Sequence, residues 1–207
     1  MKPTTHPDRP ADPLIDPFAD PVTVFPFDSG RPPPMARPSV RFMLSHPAHW
    51  IALGFGSGLS RIAPGTAGTL WAWIAFIALT PWMNDARWAL LFGVSLPLGW
   101  WACTVTARNM AVLDPGSIVW DEVVAFWLVL WLVMPTGLVG QVMAFGLFRF
   151  FDAVKPGPVG WADALYHHLD PASDRGAWRK AGFGIMLDDL VAAGCTVLVV
   201  ALWRFAT

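Results

Sequence analysis

Uncharged stretches set the rhythm of this chain. No charged residue falls between Ile62 and Asn84, between Trp88 and Ala107, between Val123 and Phe148, or between Leu190 and Trp203. The run Trp88–Ala107 is 20 residues long, the length that crosses a bilayer core as a helix. The pattern predicts helices at about 68–83, 88–107 and 189–205. Val123–Phe148 is broken near its middle by Pro135-Thr136-Gly137 and predicts a hairpin of two shorter helices. Pro97 and Gly99 fall inside the second run, which transmembrane helices tolerate.

Polar segments separate these runs. Residues 1–38 hold 11 of the 20 prolines and include the Asp-Pro repeats of "ADPLIDPFADP", a composition that neither forms helices nor packs. They are expected to be a disordered extension, and residues 39–207 the membrane-embedded domain. In "SHPAHWIALGFGSGLSRIAPGTAGTLW", His46-Pro47 opens a short helix that Gly54, Gly56 and Gly58 interrupt, giving a broken segment near the membrane surface. The fold class is therefore all-α: a polytopic membrane helical bundle with a Gly-rich broken amino-terminal segment.

Composition reinforces this picture. The 207 residues are 55% hydrophobic and 14% charged, where soluble chains carry about 25% charge. A net charge of -1 supplies no basic field for nucleic acid, which is excluded as a partner. Cys103 and Cys195 lie within apolar runs and read as small packed hydrophobes. The first 38 residues lack the basic-then-apolar order of a cleavable signal, so insertion is expected to rest on the apolar segments themselves.

Charge placement then gives an orientation. With the N-terminus cytoplasmic, five spans put Arg37, Arg41, Arg108, Arg149, Lys155, Arg175, Arg179 and Lys180 inside. The Asp85/Arg87 turn, the Pro135 turn and Arg204 fall outside, in agreement with the positive-inside bias. The same count brings Asp114, Asp121, Glu122, Asp152, Asp188 and Asp189 to the inner face. Three acidic clusters thus converge on one side.

These clusters carry the candidate chemistry. "DPGSIVWDE" supplies Asp121 and Glu122, "FRFFDAVKP" supplies Arg149, Asp152 and Lys155, and "GIMLDDLVAAG" supplies Asp188 and Asp189. Adjacent carboxylates beside an apolar run repel one another and resist desolvation, and a divalent cation offsets both costs. Hard oxygen ligands suit Mg²⁺, which binds through a few carboxylates together with substrate phosphate. Arg149 as a forked donor and Lys155 as a point charge suit that phosphate. Small residues around Ser57, Ser60, Thr66 and Thr69 offer backbone N–H groups. Blander roles stand beside these: Asp121/Glu122 as a membrane-boundary pair, Asp188/Asp189 as helix caps, Arg149–Asp152 as a structural pair, Lys155 as an anchor and His49 as a structural histidine. His167 and His168 receive no role. There is no P-loop ending after "GFGSG", no nucleophile elbow and no C-x-x-C pair.

In "HWIALGFGSGLSRIAPGTAGTL", "DPGSIVWDE", "FRFFDAVKP" and "GFGIMLDDLVAAG", the chain resembles the phosphatidylglycerophosphatase A family of bacterial inner-membrane, Mg²⁺-dependent lipid phosphatases. The resemblance implies hydrolysis of phosphatidylglycerophosphate to phosphatidylglycerol and phosphate, with membrane lipids as partners and a multi-pass protein whose active site faces the cytoplasm. It implies roles for His49, Thr66, Asp121, Glu122, Arg149, Asp152, Lys155, Asp188 and Asp189. In this reading Asp121, Glu122, Asp152, Asp188 and Asp189 hold the metal, and Arg149, Lys155, Thr66 and Arg61 contact substrate. His49 then protonates the leaving oxygen or positions water, and a covalent aspartyl-phosphate remains open. Arg61 stands where the family commonly has proline, adding a cation near the headgroup. The alternatives are a phosphatase for another lipid phosphomonoester, a cation-coupled membrane transporter, and a scaffold acting through the proline-rich tail.

Overall fold

The computed structural model describes residues 34–166 and 168–206, so most of the 1–38 extension and His167 lie outside the described residues. Among the described residues every regular element is helical: α1 (Val40–Leu44), α2 (Pro47–Ala52), α3 (Pro64–Leu79), α4 (Asp85–Met110), α5 (Trp120–Val133), α6 (Leu138–Val154), α7 (Pro158–Ala164) and α8 (Ala177–Ala206). Local chemistry sets several of these boundaries. Ser39 and Asn84 accept backbone N–H groups at the starts of α1 and α4. His46 does the same for α2 through its ring nitrogen. Proline at the first helical position starts α2, α3 and α7. Between α2 and α3 the chain tightens into 3₁₀ turns over Gly54–Leu59, where Gly56 adopts φ 106°, a conformation open to glycine.

Helix α5 is the axis of the bundle and packs against α3, α4, α6 and α8. Val123, Val124, Ala125 and Phe126 are all fully buried, as expected of a helix apolar on every side. Small residues let its neighbours come close: Ala72 of α3, Ala102 of α4, Ala144 of α6, and Ala192 and Ala193 of α8 are fully buried. Tryptophan N–H groups find acceptors inside this apolar mass. Trp127 donates to the Ala72 carbonyl at 2.8 Å and Trp73 to Gln141 at 2.7 Å.

Helices α4 and α8 are each long and apolar enough to cross a membrane, at about 39 and 45 Å. Leu90 and Val94 on α4, and Leu198 and Leu202 on α8, are exposed on their outer faces. The sequence places the last helix at 189–205; α8 in fact begins twelve residues earlier, at Ala177. Its first turns are polar in sequence, but Ala177, Ala181, Gly182 and Ile185 are buried, so tertiary packing extends the helix. Asp188 and Asp189 therefore lie in a helix interior, which removes the helix-cap alternative.

The bundle has two distinct ends. At one, Trp131 donates to Asp85 at 3.1 Å, and Arg204 donates to the carbonyl of Pro135 at 3.3 Å. These are the segments that the charge pattern assigns to the outer side. At the opposite end, Val119 N donates to the Ala52 carbonyl at 2.9 Å, tying the start of α5 to α2. The carboxylates gather at this second end.

Candidate active site

Successive residues on an α-helix point about 100° apart, so Asp188 and Asp189 serve different neighbours. Asp189 turns toward the first turn of α5. There Asp121, Glu122 and Asp189 each place one carboxylate oxygen within 4.8 Å of the others. Asp188 turns toward the end of α6, where Lys155 Nζ donates to it at 2.6 Å. The Asp152 carboxylate is near enough to Asp189 for their charges to repel, so α6 closes the third side.

The three-carboxylate group is deeply placed: Glu122 is 9% exposed and Asp189 3%. Asp121 Oδ1, Glu122 Oε2 and Asp189 Oδ2 are buried with no hydrogen-bond partner. One such oxygen costs about 1–3 kcal/mol or more if left unsatisfied, and three that converge call for a shared positive partner. An octahedral Mg²⁺ with bonds of 2.0–2.1 Å brings opposite oxygens to about 4.2 Å. All three carboxylates offer an oxygen within 4.8 Å of the other two, close enough for one small cation to bridge them. The donor set thus fits a hard divalent cation.

Arginine flanks the carboxylates. Arg149 pairs with Asp152 one helical turn along α6, and its Nη1 stands 3.6 Å from Glu122 Oε1. The same nitrogen is 3.4 Å from Thr69 Oγ1, which itself donates to the Gly65 carbonyl at 2.9 Å. Gly65 is required by space: a Cβ there would run into Glu122 Oε1 and would stand 3.1 Å from the Arg149 guanidinium nitrogens. An alanine there would displace the Glu122 carboxylate from its place beside Arg149.

Lys155 closes α6 in the left-handed region, at φ 50° and ψ 50°. A non-glycine residue pays about 1–2 kcal/mol for that conformation. Here it delivers the ammonium between Asp163 of α7 and Asp188 of α8. Burial works against the Lys155 charge, but its hydrogen bonds to the Asp163 and Asp188 carboxylates outweigh it and hold its pKa above the usual lysine value. A cavity of about 240 Å³ lined by Asp114, Asp163, Tyr166 and Asp188 opens beside this clamp.

His49 is 2% exposed and sits apart from the carboxylates in its contacts. Its Nδ1 lies 2.9 Å from the Phe42 carbonyl, so that nitrogen carries the proton and donates. Nε2 then accepts from Asn109 Nδ2 at 2.9 Å. Burial first, and then the nearby His46, depress its pKa, against the opposing bond to Phe42.

Comparison with known proteins shows the family. The profile of the family described as "PgpA: Phosphatidylglycerophosphatase A" matches residues 50–204. The chain belongs to the phosphatidylglycerophosphatase A family. It is 40% identical over 153 residues to phosphatidylglycerophosphatase A of Escherichia coli (strain K12), covering 73% of this chain and 80% of that protein. Against phosphatidylglycerophosphatase A of Haemophilus influenzae the identity is 37% over 163 residues, covering 79% and 92%. No solved structure matches. Membership in the phosphatidylglycerophosphatase A family makes the chain a hydrolase, a lipid phosphatase associated with the membrane.

Within this family member, the structure sorts the sequence-derived residues. Asp121, Glu122 and Asp189 meet, with Asp152 and Arg149 against them. Asp188 and Lys155 engage each other rather than that group. Thr66 is exposed, and Thr69, one turn further along α3, is the threonine that reaches Arg149. Arg61 is exposed on the 3₁₀–α3 connection. Three participants carried no distinct signal: Asp163, Asn109 and Thr69 as the chosen threonine. A helical wheel of α3, with Thr69 four residues beyond Gly65, is the one cue that singles Thr69 out.

Proposed function

We propose that this chain hydrolyses phosphatidylglycerophosphate to phosphatidylglycerol and inorganic phosphate with Mg²⁺ at Asp121, Glu122 and Asp189. The observation that carries the reading is the convergence of three buried carboxylates, each with an oxygen that has no partner, beside Arg149. When bound, Mg²⁺ supplies Lewis acidity toward the phosphoryl oxygens and acidifies the attacking water. Arg149 binds the phosphate by charge-assisted hydrogen bonds, and Asp152 with Thr69 fixes its guanidinium. The Lys155–Asp163–Asp188 clamp locks the α6–α7 corner onto α8 and so positions Asp189, one residue along the helix. Water oxygen bonds to phosphorus as the phosphorus–glycerol oxygen bond breaks, and a proton passes to the departing oxygen. His49, with both ring nitrogens engaged, holds α1 and α2 against α4.

The Escherichia coli and Haemophilus influenzae relatives act on this lipid by their names, which supports the same substrate here. The catalytic domain is residues 39–207, preceded by the 1–38 extension, whose last residues join it where Met35 N donates to the Met110 carbonyl at 2.8 Å. Helices α3, α4, α5, α6 and α8 form five passes, with the carboxylate end in the cytoplasm beside Arg41, Arg108, Arg179 and Lys180. The test is phosphate release from phosphatidylglycerophosphate and from soluble glycerol phosphate in the same micelles. A kcat/KM at least a hundredfold greater for the lipid supports the reading. Equal rates contradict membrane positioning, and ion flux without phosphate release favours a transporter.

A further inference from the structure

A second polar feature lies on the carboxylate end of the protein. A groove of about 750 Å³ is bounded by Arg37, Ser39, Ser60, Arg61 and Ser117, with Pro64 at its inner edge. Two arginines line it and no carboxylate does. Both arginines are exposed, and among the described residues neither has an ion-pair partner. Ser39 uses its oxygen to accept the Phe42 N–H, which leaves its O–H available as a donor. The lining therefore offers an anion two guanidinium forks and the hydroxyls of Ser39 and Ser60.

The groove adjoins the active site. Pro64 lines the groove, and the next residue, Gly65, lies against Glu122 and Arg149, one Cα step of about 3.8 Å away. Two of its lining residues are apolar and exposed, Ile62 at 95% and Val40 at 57%, which suits contact with acyl chains. An anion held here therefore lies next to the segment of α3 that packs against Glu122 and Arg149.

We infer that this groove binds the phosphodiester of the lipid headgroup while the carboxylate–Arg149 site takes the terminal phosphomonoester. The inference rests on the phosphatase reading and adds its selectivity: Arg37 and Arg61 favour lipids carrying two phosphates over lipids carrying the monoester alone.

The test uses the full chain, Arg61→Ala and Arg37→Ala/Arg61→Ala. Hydrolysis of phosphatidylglycerophosphate is compared with hydrolysis of phosphatidate, which has a monoester and no diester. Separately, binding of short-chain phosphatidylglycerol, which has the diester alone, is followed by calorimetry in neutral micelles. The double variant is expected to lower the ratio of kcat/KM for the two substrates at least tenfold, through KM. It should weaken phosphatidylglycerol binding to a similar degree, with Arg37→Lys/Arg61→Lys recovering part of both. An equal loss on both substrates, or unchanged phosphatidylglycerol binding, overturns the groove assignment. So does inorganic phosphate displacing the lipid as well as soluble glycerophosphoglycerol does, because the groove is then a general anion site. Wild-type protein that binds phosphatidylglycerol through these arginines yet hydrolyses neither substrate retains the groove and refutes the phosphatase reading.

Discussion

Replacing Lys155 with methionine removes the cation between Asp163 and Asp188 while keeping the length of the side chain. The Lys155 side chain is 29% exposed, that of Asp163 20% and that of Asp188 11%. Stripping one partner from a fully buried pair costs about 3–5 kcal/mol, whereas an exposed pair contributes about 0–1 kcal/mol. The partial exposure here places Lys155→Met near 2 kcal/mol. For a domain of this size that lowers Tm by about 4–8 °C. Lys155→Gly loses the same ammonium but relieves the left-handed backbone, so it should be less destabilised by about 1 kcal/mol. Lys180→Met, which breaks the more exposed Lys180–Asp174 pair, is the control. Thermal unfolding in one detergent, monitored by tryptophan fluorescence, ranks the three variants. A Lys155→Met shift no larger than that of Lys180→Met would refute the clamp. In the variants that remain folded, loss of kcat with little change in KM is the mark of a positioning role.

Further outcomes follow from the same contacts. Gly65→Ala drives a methyl group into Glu122 and Arg149, so phosphate release should fall at least tenfold, with about 1–3 kcal/mol lost from stability; full activity would show that α3 does not approach the site so closely. Arg149→Lys keeps the charge but loses the fork, so KM for the lipid should rise at least tenfold, and an unchanged KM would remove Arg149 from substrate binding. His49 has a folded-state pKa below its ordinary 6.5. The stability it contributes is therefore present above pH 6.5 and is lost as pH falls through the depressed value. Urea titrations between pH 7.5 and 5 should show that loss in the wild type and a smaller one in His49→Gln; equal slopes would contradict the buried neutral imidazole.

Much of this site was legible because its pieces are local. The spacing of Arg149 and Asp152 predicts a shared helix face, and they pair on α6. The Pro135-Thr136-Gly137 break predicts a turn, and α5 ends at Val133 before α6 starts at Leu138. What escaped the sequence depends on tertiary packing. Nothing in "AWRKAGFG" reveals that α8 starts at Ala177, because burial against neighbouring segments, not apolar periodicity, extends it. The division of labour between Asp188 and Asp189 follows from that extension, since only within a continuous helix do neighbouring carboxylates diverge by 100°. Asp163 looked like one more polar residue in a loop-rich stretch, and only the fold brings it to Lys155. Thr66 and Thr69 are equivalent in composition, and helical phase alone turns Thr69 toward Arg149.

The most direct test of the central claim is phosphate release from phosphatidylglycerophosphate by the wild type and Asp189→Asn, each with Mg²⁺ and after chelation. The account predicts release that requires Mg²⁺, a wild-type Tm that rises on adding the ion, and loss of both in a folded Asp189→Asn protein. Release that persists in chelator, or Mg²⁺-dependent release that survives Asp189→Asn, would contradict a metal centre built on Asp121, Glu122 and Asp189.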